Sequence, residues 1–334
     1  MIKIGVIGFG YWGPNLVRNF SALDNCLVKT VADLNDNRLA VAKKTFPHIE
    51  ITKEANDLFN DPEIDGIVIA SPVFSHYVLS KKALLRSKHV LVEKPMTNSS
   101  AKALELIKIA QKNKKTLMVD HTYLYTSAVK KIKEMITKKQ IGDVSYFDST
   151  RINLGLFQPD INVIWDLAPH DISILEYLLN EEPKSVVATG VSHTNNSIED
   201  IAYLTIYYQD NKIAHISCSW TSPVKVRRIL IGGTKKMIVY DDNEPTEKIK
   251  IYDTGYKFKT EEKEKLRVDY RTGNINIPKL EQTEALYGVA SDFIKAIEKK
   301  IEPISNWKIG LSVVKVLEAA EKSIRKHGKE VILK

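Results

Sequence analysis

The sequence predicts a two-part α/β chain. A doubly wound parallel sheet occupies residues 1–122, and a domain built on a mainly antiparallel sheet occupies 123–334. Three observations predict this. Short apolar runs alternate with helical patterns up to about residue 122. A glycine-rich turn, Gly8-Phe9-Gly10-Tyr11-Trp12-Gly13, separates the first apolar run from the first helical pattern. After Tyr123 the grammar changes to β-rich runs with period-two alternation, such as Tyr203, Thr205 and Tyr207.

The strands of the first part are read as Ile2–Gly8, Leu27–Asp33, Gly66–Ala70, His89–Val92 and Thr116–Asp120. The helices between them are Pro14–Leu23, Asn37–Phe46, His76–Arg86 and Ser99–Asn113, with Asn98 or Ser99 as N-cap of the last. Strand, helix, strand at this spacing implies parallel pairing. In the second part a helix, Ala128–Lys139, ends at Gly142, and a strand, Val144–Asn153, leads through a loop to a helix over about Val163–Leu179. Pro169 suggests that this helix proper starts near it. Strands follow at Ser185–Ser192, Ala202–Tyr208, Lys212–Trp220, Lys225–Gly232 and Lys236–Tyr240. Asp241–Ile277 reads as charged loop, and helices over Glu284–Lys299 and Lys308–Lys326 close the chain. Whether these last helices pack back on the first part is left open.

Composition narrows the function classes. Hydrophobic residues form 43% of the chain, so a sizeable core is expected. The formal charge is +8, but its lysines are dispersed and no block of five basic residues occurs. That argues for a solvated surface rather than a nucleic-acid or membrane partner, and it would help steer an anionic small substrate. Cys26 and Cys218 lie in apolar stretches without metal-ligand spacing, so they read as reduced core residues and no metal is expected. Met1 opens directly into a strand and no apolar run spans a bilayer, so a cytoplasmic protein is expected.

The glycine turn has the context a dinucleotide needs. Gly8 permits the tight turn, Gly10 lets the backbone approach a pyrophosphate, and Gly13 lets helix and strand pack closely. Phe9, Tyr11 and Trp12 complete the loop, and Pro14 suits the first helical turn. Asp33 ends the second strand twenty residues beyond Gly13, where a carboxylate accepts from ribose hydroxyls and repels a 2′-phosphate. NAD is therefore expected over NADP. Arg38, nearby, could meet a phosphate or stack on adenine. Ser71-Pro72 ends another strand on the ligand side. Ser75 and His76 then begin a helix and read equally as cofactor contacts or as a turn and an N-cap.

Glu93-Lys94-Pro95 follows the buried run His89-Val90-Leu91-Val92. A lysine is costly at the end of a buried strand, and ligands bind at the carboxyl ends of such strands, so Lys94 should meet one. Asp166 and His170 stand four apart and would share one helical face. They form either a general base with its orienting acid or a structural pair. Arg151 and Asn153 lie on the strand leading to that helix, and a guanidinium there can grip a diphosphate or sit in a salt bridge.

In their order and spacing the glycine fingerprint, Glu93-Lys94-Pro95 and Asp166-x-x-x-His170-Asp171 resemble the Gfo/Idh/MocA oxidoreductase family over the whole chain. The resemblance implies a Rossmann domain followed by an α/β domain on a large open antiparallel sheet. It implies oxidation or reduction of sugar or cyclitol carbons with a nicotinamide cofactor. It places Lys94 and His170 beside the reacting carbinol with Asp166 in support, Glu93 and Lys94 against the cofactor, Tyr123 near the substrate, and a cis peptide before Pro95. It also implies a dimer through the open sheet, often within a tetramer. Gly10–Asn15, Asp120-His121-Thr122-Tyr123 and Trp165–Asp171 look like the branch acting on nucleotide-linked amino sugars, including UDP-N-acetylglucosamine 3-dehydrogenases. In that branch a 3-keto sugar passes to an aminotransferase and on to lipid A, O-antigen or glycan. Val73 stands where the family's turn carries asparagine, and the family's arginine is missing from His121–Tyr125. Free-sugar or inositol dehydrogenases of the same fold, and a non-catalytic NAD-binding sensor, are the alternative readings.

Overall fold

The computed structural model describes residues 1–155, 157–158, 161–194, 198–259 and 267–333. They fall into two compact units, Met1–Thr126 with Thr283–Lys315, and Ser127–Gln282 with Val316–Lys334.

The first unit runs β1 (Ile2–Ile7), α1 (Gly13–Ser21), β2 (Cys26–Ala32), α2 (Asp36–Thr45), β3 (Glu50–Thr52), α3 (Ala55–Asn60), β4 (Gly66–Ile69), α4 (Val73–Leu85), β5 (His89–Glu93), α5 (Ser100–Lys112) and β6 (Leu117–Asp120). Its sheet has six strands in the order β3-β2-β1-β4-β5-β6. All of these pairings are parallel. The order reverses at β1 and β4, which makes the crevice beyond their carboxyl ends the ligand position. Strands β4 to β6 bury nearly every side chain because helices cover both faces. Two elements went unpredicted: β3, which is three residues long, and α3, which is six. Both are too short to show a period.

The second unit contains α6 (Ser127–Thr137), β7 (Val144–Leu154), α7 (Val163–Leu179), β8 (Ser185–Val191), β9 (Ile201–Tyr207), β10 (Ile213–Ser219), β11 (Thr221–Gly233), β12 (Met237–Asp241), β13 (Ile249–Tyr252), β14 (Gly255–Lys259), β15 (Arg267–Arg271) and β16 (Ile275–Asn276). After it α8 (Ala285–Lys299) returns to the first unit, α9 (Trp307–Arg325) runs from the first unit into the second, and β17 (Val331–Ile332) rejoins the sheet. The described sheet order is β16-β13-β12-β11-β7-β10-β9-β8-β17. Every pairing is antiparallel except β10 with β7. Alternation sends Ala202, Leu204 and Ile206, with Ala214, Ile216 and Cys218, into the core, where α7 packs.

Two expectations are corrected. Asp241–Ile277 is not simply loop: it carries β13, the hairpin of β14 and β15, and β16. Its charges sit on strands with an exposed side, which blurs the hydrophobic alternation. The α7 helix does not begin at Pro169 but runs through it, starting at Val163 with Asn162 as N-cap. Burial of Ile164, Trp165, Ala168 and Ile172 offsets the backbone bond that a proline cannot donate.

Candidate active site

In the first unit the glycine turn and β2 are stitched by one carboxylate. Asp33 Oδ2 accepts from the Phe9 amide at 2.7 Å and Oδ1 from the Asn35 amide at 2.8 Å. Gly8 has φ +98°, and a Cβ there would lie 2.5 Å from the Ala70 carbonyl oxygen. At Gly13 a Cβ would strike the Gly8 carbonyl, so helix and strand close up only on glycine. Pro14 takes the first turn of α1, and Tyr11 and Trp12 stay exposed in the loop before it. Arg38 Nη1 sits 3.6 Å from Asp33 Oδ2, with its guanidinium over Gly10. The amides at the start of α1, the glycine cradle and the Asp33 carboxylate fit the pyrophosphate and ribose of a dinucleotide.

The next part of the site is set by His76. Its Nδ1 lies 2.9 Å from the Pro95 carbonyl and its Nε2 2.8 Å from that of Ser71. The side chain is buried with each ring nitrogen beside a carbonyl oxygen, so His76 bridges two ligand-side loops. Burial pushes its pKa down against the pull of the two carbonyls. Ser71 and Ser75 share a 2.6 Å hydroxyl contact beside Pro72. The Lys94–Pro95 peptide is cis, so the His76 bond to Pro95 ties α4 to the residue that follows Lys94. Glu93 and Asp120 end β5 and β6 as register partners, and Tyr123 follows on a short 3-10 helix, Thr122–Tyr125.

In the second unit the candidate chemistry sits on α7. Asp166 and His170 are one turn apart and half-buried. Trp220, at the end of β10, donates its indole N–H to Asp166 Oδ2 at 3.0 Å. Phe157 packs on the Trp220 ring at 5.5 Å, and the Trp220 amide bonds the Asp200 carbonyl at 2.9 Å. Trp220 was not singled out from the sequence. A lone tryptophan at a strand end gives no sign of which acceptor its N–H will find.

Arg151 takes an ion pair, one of the two roles its position left open. It is 3% exposed, and Asp171 holds it through Nε at 2.6 Å and Nη2 at 2.9 Å. A strand residue on the covered face points at the helix, and the acid next to His170 meets it there. Asn153 remains half-buried near the end of β7. Among the described residues no cluster of His, Cys, Asp and Glu could hold a metal ion. No described helix is long and apolar enough to cross a membrane.

Comparison with known proteins turns on both units. Residues 2–121 match the model described as an oxidoreductase family with an NAD-binding Rossmann fold, and residues 129–239 match the GFO/IDH/MocA C-terminal domain. The chain belongs to the Gfo/Idh/MocA oxidoreductase family. Its first unit is thus an NAD-binding Rossmann domain, the group its glycine cradle fits. Among Gfo/Idh/MocA relatives, UDP-N-acetylglucosamine 3-dehydrogenase of Acidithiobacillus ferrooxidans is 26% identical over 69% of this chain and 71% of its own. Myo-inositol 2-dehydrogenase of Thermotoga maritima is 23% identical over 72% and 75%. The solved Acidithiobacillus ferrooxidans structure superposes with a TM-score of 0.81, 22% identity, and 97% and 98% coverage. An oxidoreductase of Agrobacterium radiobacter solved with NAD+, L-tartaric acid and magnesium gives 0.84 at 18% identity, covering 99% and 98%. At these identities the structures show the shared fold.

Proposed function

We propose that this oxidoreductase is an NAD-dependent dehydrogenase that oxidises the C3 hydroxyl of UDP-N-acetylglucosamine, or of a close UDP-amino sugar, to the 3-keto sugar. The observation that carries the reading is the α7 pair, Asp166 and His170, with Asp166 tied to the Trp220 indole. An imidazole with a fixed carboxylate one turn away is equipped to take a hydroxyl proton. In this reading His170 accepts that proton as the C3 hydrogen leaves with its electron pair and the C–O bond becomes a carbonyl. Lys94 hydrogen-bonds the oxygen as negative charge develops on it. NAD, when bound, supplies the hydride acceptor. The branch motifs and the Acidithiobacillus relative support the sugar and the carbon. The product ketone suits a following transamination to a 3-amino sugar, by an aminotransferase that would be the pathway partner. The excess of basic residues favours an anionic substrate, and a cytoplasmic location is part of this proposal.

A second reading, a free-sugar or inositol dehydrogenase, is favoured by one observation. Arg151 is buried, and Asp171 holds its Nε and Nη2. The inositol dehydrogenase relative points the same way. The experiment is NAD reduction followed by absorbance with a panel of UDP-sugars, free sugars and inositols. Turnover confined to UDP-amino sugars is the expected result. Turnover of inositol or free sugar alone overturns it.

A further inference from the structure

Glu93 and Asp120 close adjacent parallel strands as direct register partners, so their side chains leave the sheet on the same side, about 5 Å apart at the backbone. Asp120 is 2% exposed. Its Oδ1 accepts from Thr122 Oγ1 at 2.7 Å, and its Oδ2 is buried without a hydrogen-bond partner. His121, next in the chain, is fully buried, and neither ring nitrogen has a hydrogen-bond partner. The cation that acts on both carboxyls and on His121 is Lys94, the residue after Glu93. His76 also feels Lys94, and Tyr125, whose hydroxyl donates to Asp292 at 2.7 Å, feels Asp120.

Two neighbouring carboxylates, Asp120 buried and Glu93 half-buried, do not both stay ionised. We propose that Glu93 and Asp120 act as one acid, holding a single proton between them, and that the one negative charge left is the counter-ion that positions the Lys94 ammonium. A protonated carboxyl becomes a donor, which is what the orphaned Asp120 Oδ2 lacks. Burial, then the neighbouring Asp120 charge, pushes Glu93 well above the carboxylate range. Burial holds Asp120 up at about 6 despite the Thr122 bond. His121 cannot supply the proton at neutral pH, because burial and the Lys94 charge hold it down at about 3. Fully ionised, the pair would draw the ammonium into a tight ion pair. Fully neutral, it would exert no net charge on the Lys94 ammonium. One shared proton leaves Lys94 oriented and able to donate to a ligand oxygen. Both acids are positioning residues here, acting through Lys94.

The test uses the full-length protein without substrate, so its outcome is separate from the identity of the sugar. Infrared spectra of wild type, with Glu93→Gln to assign the band, should show a protonated carboxyl at neutral pH. In Asp120→Asn its midpoint should fall by about one pH unit or more, since a neutral amide no longer repels the Glu93 charge. An unmoved midpoint overturns the shared proton. The counter-ion role is read from the Lys94 side-chain NMR resonance, assigned with Lys94→Arg. Its chemical shift should move in Glu93→Gln/Asp120→Asn relative to Asp120→Asn alone. An unmoved resonance overturns that role. Melting temperatures check that each variant is folded, and the infrared comparison stands on the single variant if the double one is not.

Discussion

At the scale of single residues, the site divides groups that would do chemistry from groups that hold them. Lys94→Ala removes the expected alkoxide donor, and turnover should fall by about a hundredfold or more. His170→Ala removes the expected base, with a loss of about two to four powers of ten. Both variants should keep NAD affinity and melting temperature, because the glycine cradle lies on another loop. Near-wild-type turnover in either folded variant takes that residue out of the mechanism. Trp220→Phe tests a holding role: it keeps most of the ring and loses only the N–H that reaches Asp166. A hydrogen bond to a charged group contributes about 2 kcal/mol, so kcat should drop by up to about 30-fold with NAD affinity intact. Arg151 belongs with the holders as well. Arg151→Met leaves Asp171 buried and unpaired, and should lower stability by about 3 to 5 kcal/mol. A variant that melts normally but shows a raised KM would restore the diphosphate reading.

At the scale of elements, the turns that join strands to helices carry the cofactor side, and there the sequence was most legible. The fingerprint needs only local geometry: Gly8 at positive φ and Gly13 against the Gly8 carbonyl are facts of one turn. The Asp166/His170 spacing is local too, so both are legible in the sequence alone. What stayed hidden depends on contacts distant in sequence. Arg151 meets Asp171 across the β7–α7 interface, Trp220 meets Asp166, and His76 meets Pro95. None of these pairs is implied by spacing. The same division sets two expectations. Asp33 fixes the Phe9 and Asn35 amides, besides the ribose contact expected of it. Asp33→Ala should therefore narrow the NAD-over-NADP preference and also weaken NAD, and a wild type that prefers NADP in titration would sink that role. At the end of β6, Asp120 titrates near 6 in the folded chain, above its ordinary 3.8. Between those values the native state holds a proton that the unfolded chain has released. Stability from this group is therefore full below about pH 4 and lost as pH rises through about 6. Asp120→Asn should flatten the fall in melting temperature over that window. An unchanged slope would place the titrating group elsewhere.

At the scale of the whole molecule, one chain builds two units by leaving the first after Thr126, returning to it at Thr283, and leaving again after Lys315. No composition shift marks those returns, because a helix such as α8 has the same amphipathic pattern whichever core receives it. The large sheet of the second unit then poses a physical problem. Its inner face is covered by α7, but the other face keeps Tyr203 at 49% exposed, Tyr207 at 37% and Ile213 at 40% on neighbouring strands. Tyr207 pairs directly with Ile213, and the Tyr203 ring stacks on His215 at 6.3 Å, so the apolar groups form one continuous patch. His215 lies 3.8 Å from Asp148 on the next strand, a polar contact within the same face. An exposed sheet face of this kind suits a contact surface, and a second copy of the chain would supply a matching face through two-fold symmetry. The expected state is a dimer or tetramer at micromolar concentration by light scattering. Ile213→Lys combined with Tyr207→Glu should shift it toward monomer while leaving the melting of the first unit unchanged, since both positions lie in the second. A wild-type chain that scatters as a stable monomer would show that the patch is simply solvated, and the cover would have to come from a partner of another kind.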